Sequence, residues 1–374
     1  MATLGAYKTI IIKIGSSLLV DEDTGRINDT WLQTFAQDIA KFKRAGAQIL
    51  IVSSGAIALG RTRLNLNKAT LTLAQKQACA AAGQALLTQA YEAVLSPYNL
   101  VTAQALLTLN DTENRRNWIN AKATLTTLFS LGAVPIVNEN DTVATDEIRY
   151  GDNDRLAARV AQMVGADLLV LLSDIDGLYS TDPSQDNTAQ HIPLITELTP
   201  DIMAMGGNAN STRGTGTGGM ATKLQAAKIA TEAGCTLVIT KGSHPYPLTA
   251  LDENTILASW FKAKTNIKAA RKQWIAATLK PKGILTIDTG AHRALMSGKS
   301  LLGAGVIQVE GAFDKGDAVV MHDMIGQEIG RGLVGYSASD ADKIKGMKSK
   351  EISNILGYDG SMPFIHRDNM VLDT

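Results

Sequence analysis

The chain is poor in cysteine, carries no net charge and contains no apolar run of membrane-spanning length. Each absence excludes something. The two cysteines, Cys79 and Cys235, stand far apart in 374 residues and lack metal-ligand spacing. That argues against a disulfide scaffold or a thiolate metal site, and for a reduced, cytoplasmic setting. Lysine plus arginine (36) balance aspartate plus glutamate (36), so nothing global draws the chain to nucleic acid or to a membrane surface. Without a span of about 20 apolar residues, no transmembrane helix is expected. The N-terminal stretch is not expected to be a signal peptide, because Ile10–Ile14 is short and Lys13 interrupts it. No solenoid-length repeat or low-complexity tract is present.

What the chain does have is alternation. Thr9–Ile12, Ile49–Val52, Val101–Leu106, Val134–Val137, Leu168–Leu172 and Leu237–Thr240 read as strands. Between them lie helical patterns. Leu32, Phe35, Ile39 and Phe42 recur at spacings of three and four before Gly46. Leu71–Leu95 is rich in Ala, Leu and Gln. Ile119–Leu131 stops at Gly132, and Met220–Ala233 stops at Gly234. Such alternation predicts an α/β domain with a mainly parallel sheet sandwiched by helices. Nearly every strand runs straight into Gly, Ser, Asp or Asn. In a parallel sheet those turns gather at one edge and predict a single extended site. From Gly283 onward the pattern changes to short strand-like segments separated by glycines, which predicts a small all-β, barrel-like domain. The expected organisation is a first domain over 1–265, a connector over 266–280 and a second domain over 281–366.

Three stretches carry chemistry. Asn138–Asp154 holds six acids, Glu139, Asp141, Asp146, Glu147, Asp152 and Asp154, with one arginine and no lysine. A solvated acidic loop is the ordinary explanation of such a run. Here Asn138, Asn140 and Asn153 are interleaved with the acids, and the run follows a stretch that reads as a buried strand, where open α/β sheets bind ligands. An acid-and-amide pocket suits an ammonium group or a metal ion. Arg213–Lys223 is Gly-rich and opens a helix near Met220. Its G-x-G-x-x-G match does not follow a strand, so it does not indicate a dinucleotide fold. Glycines that let backbone amides approach an anion, a helix N-terminus and Lys223 one turn in nevertheless favour phosphate binding over a plain surface loop. Lys13 closes an apolar strand, where an ammonium is costly unless it faces an anion or snorkels to water. Ser53-Ser54-Gly55 and Ser173-Asp174 are weaker signals that would serve equally as caps. Two lysines, an anion cradle and an acid-and-amide pocket on one sheet edge point to phosphoryl transfer to an acceptor with a free amine.

The segments IIIKIGSSLL, IVSSGAIALG, PIVNENDTVAT, GDND, LLSDIDGLY and GTGGMATK occur in this order between Ile10 and Lys223. Together they resemble the amino acid kinase family, and within it the glutamate 5-kinases, the γ-glutamyl kinases of proline biosynthesis. Gly290–Val306, Val309–Val319 and Ile329–Asp340 resemble a PUA domain, which bacterial members often carry. The resemblance runs from about Lys8 to His366. It implies that Lys13 and Lys223 contact ATP and stabilise the transferred phosphoryl group, and that Asp154 organises them. It implies glutamate binding by Ser54, Asp141 and Asn153, with Asp152 close by. It implies nucleotide contacts from Ser173, Asp174 and the run Thr217, Gly218, Gly219, Met220, Ala221, Thr222 and Lys223. Many members have Thr-Asp where this chain has Ser173-Asp174, which keeps the hydroxyl. ATP with Mg²⁺, L-glutamate as acceptor, inhibition by proline, a homo-oligomer (dimer or tetramer) and a functional link to glutamyl phosphate reductase are implied in the same way.

Other acceptors remain within this fold: N-acetylglutamate, aspartate, carbamate or a nucleoside monophosphate. A free amine disfavours the first, and an acidic loop disfavours the last. PUA domains often bind RNA, which makes an RNA-linked protein the reading from another class. From Pro281 to Thr374, however, ten Lys plus Arg face twelve Asp plus Glu, a net of −2, whereas an RNA footprint needs a basic face. Lys343, Lys345, Lys348 and Lys350 form one local basic run, which a solvated helix face explains equally well.

Overall fold

The computed structural model describes residues 3–21, 23–66, 70–143, 152–207, 219–265, 267, 269–270, 280–357 and 363–372. The chain divides into two compact units, Met1–Ile267 and Lys268–Thr374. The connector expected over 266–280 lies mostly outside the described residues.

The first unit is built on one eight-stranded sheet. Its strands are β1 (Thr9–Ile14), β2 (Gln48–Val52), β3 (Thr102–Leu107), β4 (Val134–Glu139), β5 (Leu168–Ser173), β8 (Leu194–Ile195), β9 (Thr236–Lys241) and β10 (Ala258–Phe261), in the order β3-β4-β2-β1-β5-β9-β10-β8. A separate ribbon pairs β6 (Leu178–Tyr179) with β7 (His191–Ile192). Every pairing in the large sheet is parallel except β9 with β10. The helices are α1 (Ser16–Leu19), α2 (Asp29–Arg44), α3 (Ala56–Arg63), α4 (Leu73–Leu95), α5 (Leu109–Glu113), α6 (Arg115–Ser130), α7 (Asp152–Val164), α8 (Pro200–Ala204), α9 (Met220–Glu232) and α10 (Pro247–Asp252).

The near-continuous apolar strands follow from burial on both faces. Ile10, Ile12 and Ile14 of β1 join Ile49, Ile51, Leu168, Val170 and Leu172 in one core, where α2 and α4 supply Phe35, Ile39, Leu87 and Tyr91. Ile11 turns the other way with Leu50, Val52, Leu169 and Leu171, into a second core closed by Leu156 and Val160 of α7 and Leu224 of α9. The period of two along each strand therefore builds two layers from one sequence run. Each such buried side chain contributes about 1.5–3 kcal/mol relative to exposure. Local signals set the helix starts. Asn28 accepts a hydrogen bond from Trp31 N to cap α2, and Thr72 and Gln75 form a capping box on α4.

Two glycines bring α3 and α4 together. A Cβ on Gly60 would lie 1.8 Å from Cys79 O, and one on Gly83 would lie 1.8 Å from Ala56 O. Only glycine allows this backbone approach, which holds α4 against the turn after β2. The strands β8 and β10 were not legible in the sequence. Ala258–Phe261 has four buried residues without alternation, and β8 has two residues.

The second unit has a five-stranded sheet. Its strands are β11 (Gly283–Ile287), β12 (Val306–Gly311), β13 (Ala318–His322), β14 (Glu328–Val334) and β15 (Ile365–Leu372), in the order β12-β11-β13-β14-β15, and only β11 with β13 is parallel. Three short helices, Thr289–Met296, Ala338–Ile344 and Ser349–Leu356, accompany the sheet beyond the sequence expectation. The segments Ile329 and Leu333–Val334 belong to one strand. Gly330 and Gly332 lie inside it because a Cβ there would meet Val371 O at 2.2 Å and Ile365 Cγ2 at 2.6 Å.

Candidate active site

Parallel strands place their carboxyl ends together. β1 delivers Lys13, β2 runs into Ser53-Ser54, β4 runs into Asn140-Asp141, and β5 ends in Ser173. Lys13 pairs in register with Val52 on one side and Leu171 on the other, so the ends of β1, β2 and β5 are neighbours.

The centre is one carboxylate between two ammonium groups. Asp154 is fully buried on the first turn of α7. Its Oδ1 lies 2.7 Å from Lys13 Nζ and its Oδ2 3.2 Å from Lys223 Nζ. Lys223 is 3 % exposed on α9, and Lys13 is 9 % exposed. Burial opposes ionisation of Asp154, but the two ammonium groups outweigh it and hold the carboxyl below its ordinary range. The two ammonium groups therefore favour the ionised form of Asp154. The trio carries a net charge of +1 and is built to meet an anion. Thr222 Oγ lies 3.4 Å from Asp154 Oδ2 and donates to Gly219 O at 2.8 Å. Gly219 caps α9 without a side chain, which leaves the amides of Met220 and Ala221 at the positive end of the helix.

Beside this trio lies an amide cluster. Asn153 Nδ2 donates to Ser54 Oγ at 2.7 Å and to Ser53 O at 3.1 Å. Asn138 Oδ1 lies 3.4 Å from the same nitrogen, and Asn138 Nδ2 donates to Gln84 Oε1 at 2.8 Å. Ser53 Oγ and the buried Tyr91 hydroxyl share a hydrogen bond of 2.9 Å, and burial pushes the phenol pKa upward. Asp141 is half-buried, and desolvation raises its carboxyl to about 6. At the end of β5, Ser173 Oγ donates to Asp174 Oδ1 at 2.8 Å, with Asp174 exposed.

The structure thus brings Lys13, Asp154 and Lys223 into direct contact, and Asn153 onto Ser54. Asp152 is the first residue of α7. Thr217, Gly218, Asp146 and Glu147 lie outside the described residues. The sequence reading missed Gln84 and Tyr91. Both sit in α4, and nothing in an Ala/Leu/Gln-rich helix separates a glutamine that reaches the site from one facing water.

Among the described residues no group of three His, Cys, Asp or Glu side chains could hold a metal. Both Asp154 oxygens already face lysines. A Mg²⁺ ion fits this site as a companion of the nucleotide phosphates, which suits its reluctance to shed water for a protein cage.

Residues 8–241 match the amino acid kinase family, and residues 283–356 match the PUA domain. The chain belongs to the amino acid kinase family. It is 55% identical over 367 residues to the glutamate 5-kinase of Caulobacter vibrioides (strain NA1000 / CB15N), covering 98% of this chain and 97% of that one. It is 54% identical over 372 residues to the glutamate 5-kinase of Dinoroseobacter shibae, and 52% identical over 373 residues to that of Paramagnetospirillum magneticum; each match spans 100% of both chains.

Proposed function

We propose that the chain transfers the γ-phosphoryl group of ATP to the γ-carboxylate of L-glutamate, giving ADP and L-glutamyl 5-phosphate. The observation that carries this reading is Asp154 holding two buried lysines together beside an amide cluster, with Asp141 just past the end of β4. The relatives' shared name and full-length match support the same acceptor.

The chemistry needs no general base. A glutamate side chain has an ordinary pKa near 4.3 and is already ionised at neutral pH. One of its oxygens attacks the γ-phosphorus, a new P–O bond forms, and the bond to the β,γ-bridging oxygen breaks with its electron pair leaving on ADP. Lys13 and Lys223 neutralise charge on the phosphoryl oxygens during this exchange, and Asp154 fixes their positions in advance. Mg²⁺ supplies further charge neutralisation when it arrives with ATP. Ser173, Asp174 and the start of α9, with Met220, Ala221 and Thr222, flank the nucleotide. Thr217, Gly218 and Gly219 precede that helix. Ser54, Asn153, Asp141 and Asp152 receive the amino acid.

Proline carries the same juxtaposition of carboxylate and cationic nitrogen as glutamate and would compete for that pocket. The product is an acyl phosphate, which water hydrolyses readily, so rapid consumption by a glutamyl phosphate reductase suits its chemistry. Early commitment to proline synthesis, a cytoplasmic setting and a homo-oligomer belong to the same reading. An RNA role for the second unit has less support. Two lysines of its basic run sit against acids, with Lys345 2.5 Å from Asp342 and Lys343 3.9 Å from Asp340.

The test is ADP release with ATP, Mg²⁺ and L-glutamate, with hydroxylamine present to trap the acyl phosphate. Hydroxamate is expected with glutamate, suppressed by proline, and absent with N-acetylglutamate or aspartate. No hydroxamate from folded protein would overturn the reading.

A further inference from the structure

The amide cluster has a fixed polarity, and Gln84 sets one end of it. Amide oxygens and nitrogens look alike in shape, so their orientation has to follow from partners of known type. Two backbone groups settle it here. Glu139 N can only donate, and it donates to Asn138 Oδ1 at 2.9 Å. The other atom of that side chain is therefore the NH₂ group, and the atom it meets at 2.8 Å is Gln84 Oε1. Ser53 O can only accept, so the Asn153 atom 3.1 Å away is Nδ2. Asn153 Oδ1 must then face away from Ser53 and Ser54. It is buried and has no hydrogen-bond partner among the described residues, and the same holds for Gln84 Nε2. A buried polar atom left unpaired is destabilising, and such atoms in a site mark where a ligand completes the network.

We propose that Gln84 is a positioning residue for the amino-acid acceptor. By accepting from Asn138, it holds the Asn138 oxygen toward Asn153. That keeps Asn153 Nδ2 on Ser53 and Ser54 and leaves Asn153 Oδ1 as the acceptor for the substrate's α-ammonium group. Gln84 reaches this position because α4 packs against α3 at Gly83, where no Cβ fits. The inference deepens the glutamate kinase reading and rests on it.

The test compares L-glutamate with glutarate, the same dicarboxylate without the ammonium group, in the hydroxamate assay. Three chains are compared: wild type, Gln84→Ala and Gln84→Glu. Alanine is favourable in a helix and Gln84 is half-buried, so the first variant is expected to fold. It should raise the KM for glutamate about tenfold, leave the KM for ATP within about twofold, and shrink the preference for glutamate over glutarate about tenfold. Gln84→Glu keeps the accepting oxygen and should restore that preference to within about threefold of wild type. If the alanine chain does not fold, Gln84→Met and Gln84→Glu, alike in size and different in acceptor, make the same distinction. An unchanged preference in Gln84→Ala, or equal losses in the acceptor-bearing and acceptor-free variants, would overturn the proposal. Wild-type protein that fails to phosphorylate glutamate would overturn the underlying reading instead.

Discussion

Replacing Asp154 by asparagine should damage this protein more than replacing either of its lysines. Asp154 is 0 % exposed and meets two ammonium groups at 2.7 and 3.2 Å. With charge centres near 4 Å and an effective dielectric of about 20, each attraction is worth ~4 kcal/mol. Neutralising the carboxylate forfeits both, while relieving its own desolvation cost of several kcal/mol. The net loss expected for a broken buried pair is ~3–5 kcal/mol. At about 2–4 °C per kcal/mol for a domain of this size, melting should fall by roughly 10 °C. Lys223→Met removes one cation but leaves Asp154 paired with Lys13, so its loss should be about half as large. The assay is thermal melting with and without ATP, alongside steady-state turnover. ATP should raise the melting temperature of Asp154→Asn by more than that of wild type, because a polyphosphate replaces the missing negative charge. Turnover should fall at least about a hundredfold as the lysines lose their placement. An asparagine variant that melts within a degree or two of wild type, or is more stable than Lys223→Met, would refute this account of the trio.

Further expectations concern the same edge of the sheet. Lys223→Ala should cut kcat by about two orders of magnitude or more while leaving folded protein, as read by turnover and circular dichroism. Asp141, with its carboxyl raised to about 6, should attract the substrate ammonium only when ionised. Below that pH the free enzyme holds the proton, so kcat/KM for glutamate should fall toward tenfold per pH unit, and Asp141→Asn should flatten that acid limb. A persisting limb in the variant would assign it to another group. Gly83→Ala would place a Cβ 1.8 Å from Ala56 O. It should cost about 1–3 kcal/mol in denaturant unfolding and raise the KM for glutamate by displacing α4. Near-normal values for both would show that the α3–α4 approach is dispensable.

Much of this protein was determined locally. Runs such as Leu168–Leu172, apolar without interruption, read as strands buried on both faces, and Gly46, Gly132 and Gly234 marked the ends of three helices. Once a parallel sheet was expected, the Lys, Ser, Asp and Asn that follow the strands had to share one edge. Lys13 and the acid-and-amide run were therefore readable at that edge and Lys223 from its place one turn into a helix after a glycine-rich run, whereas the grouping of Asp154 with the two lysines came only from the family resemblance. Their contact was not readable, because a salt bridge spanning 69 residues between α7 and α9 depends on how two helices pack on one face of the sheet. β8 and β10 were hidden for a related reason, since short strands gain their identity from the neighbours they pair with and not from their own periodicity. Gln84 is the clearest case. Its side chain matters through a glycine contact between α3 and α4 and a hydrogen bond to Asn138, 54 residues on. Local sequence sets which elements form and which groups lie at the strand ends. Only tertiary packing, which acts between residues far apart in the chain, decides which of those groups touch and how their amides and charges are oriented.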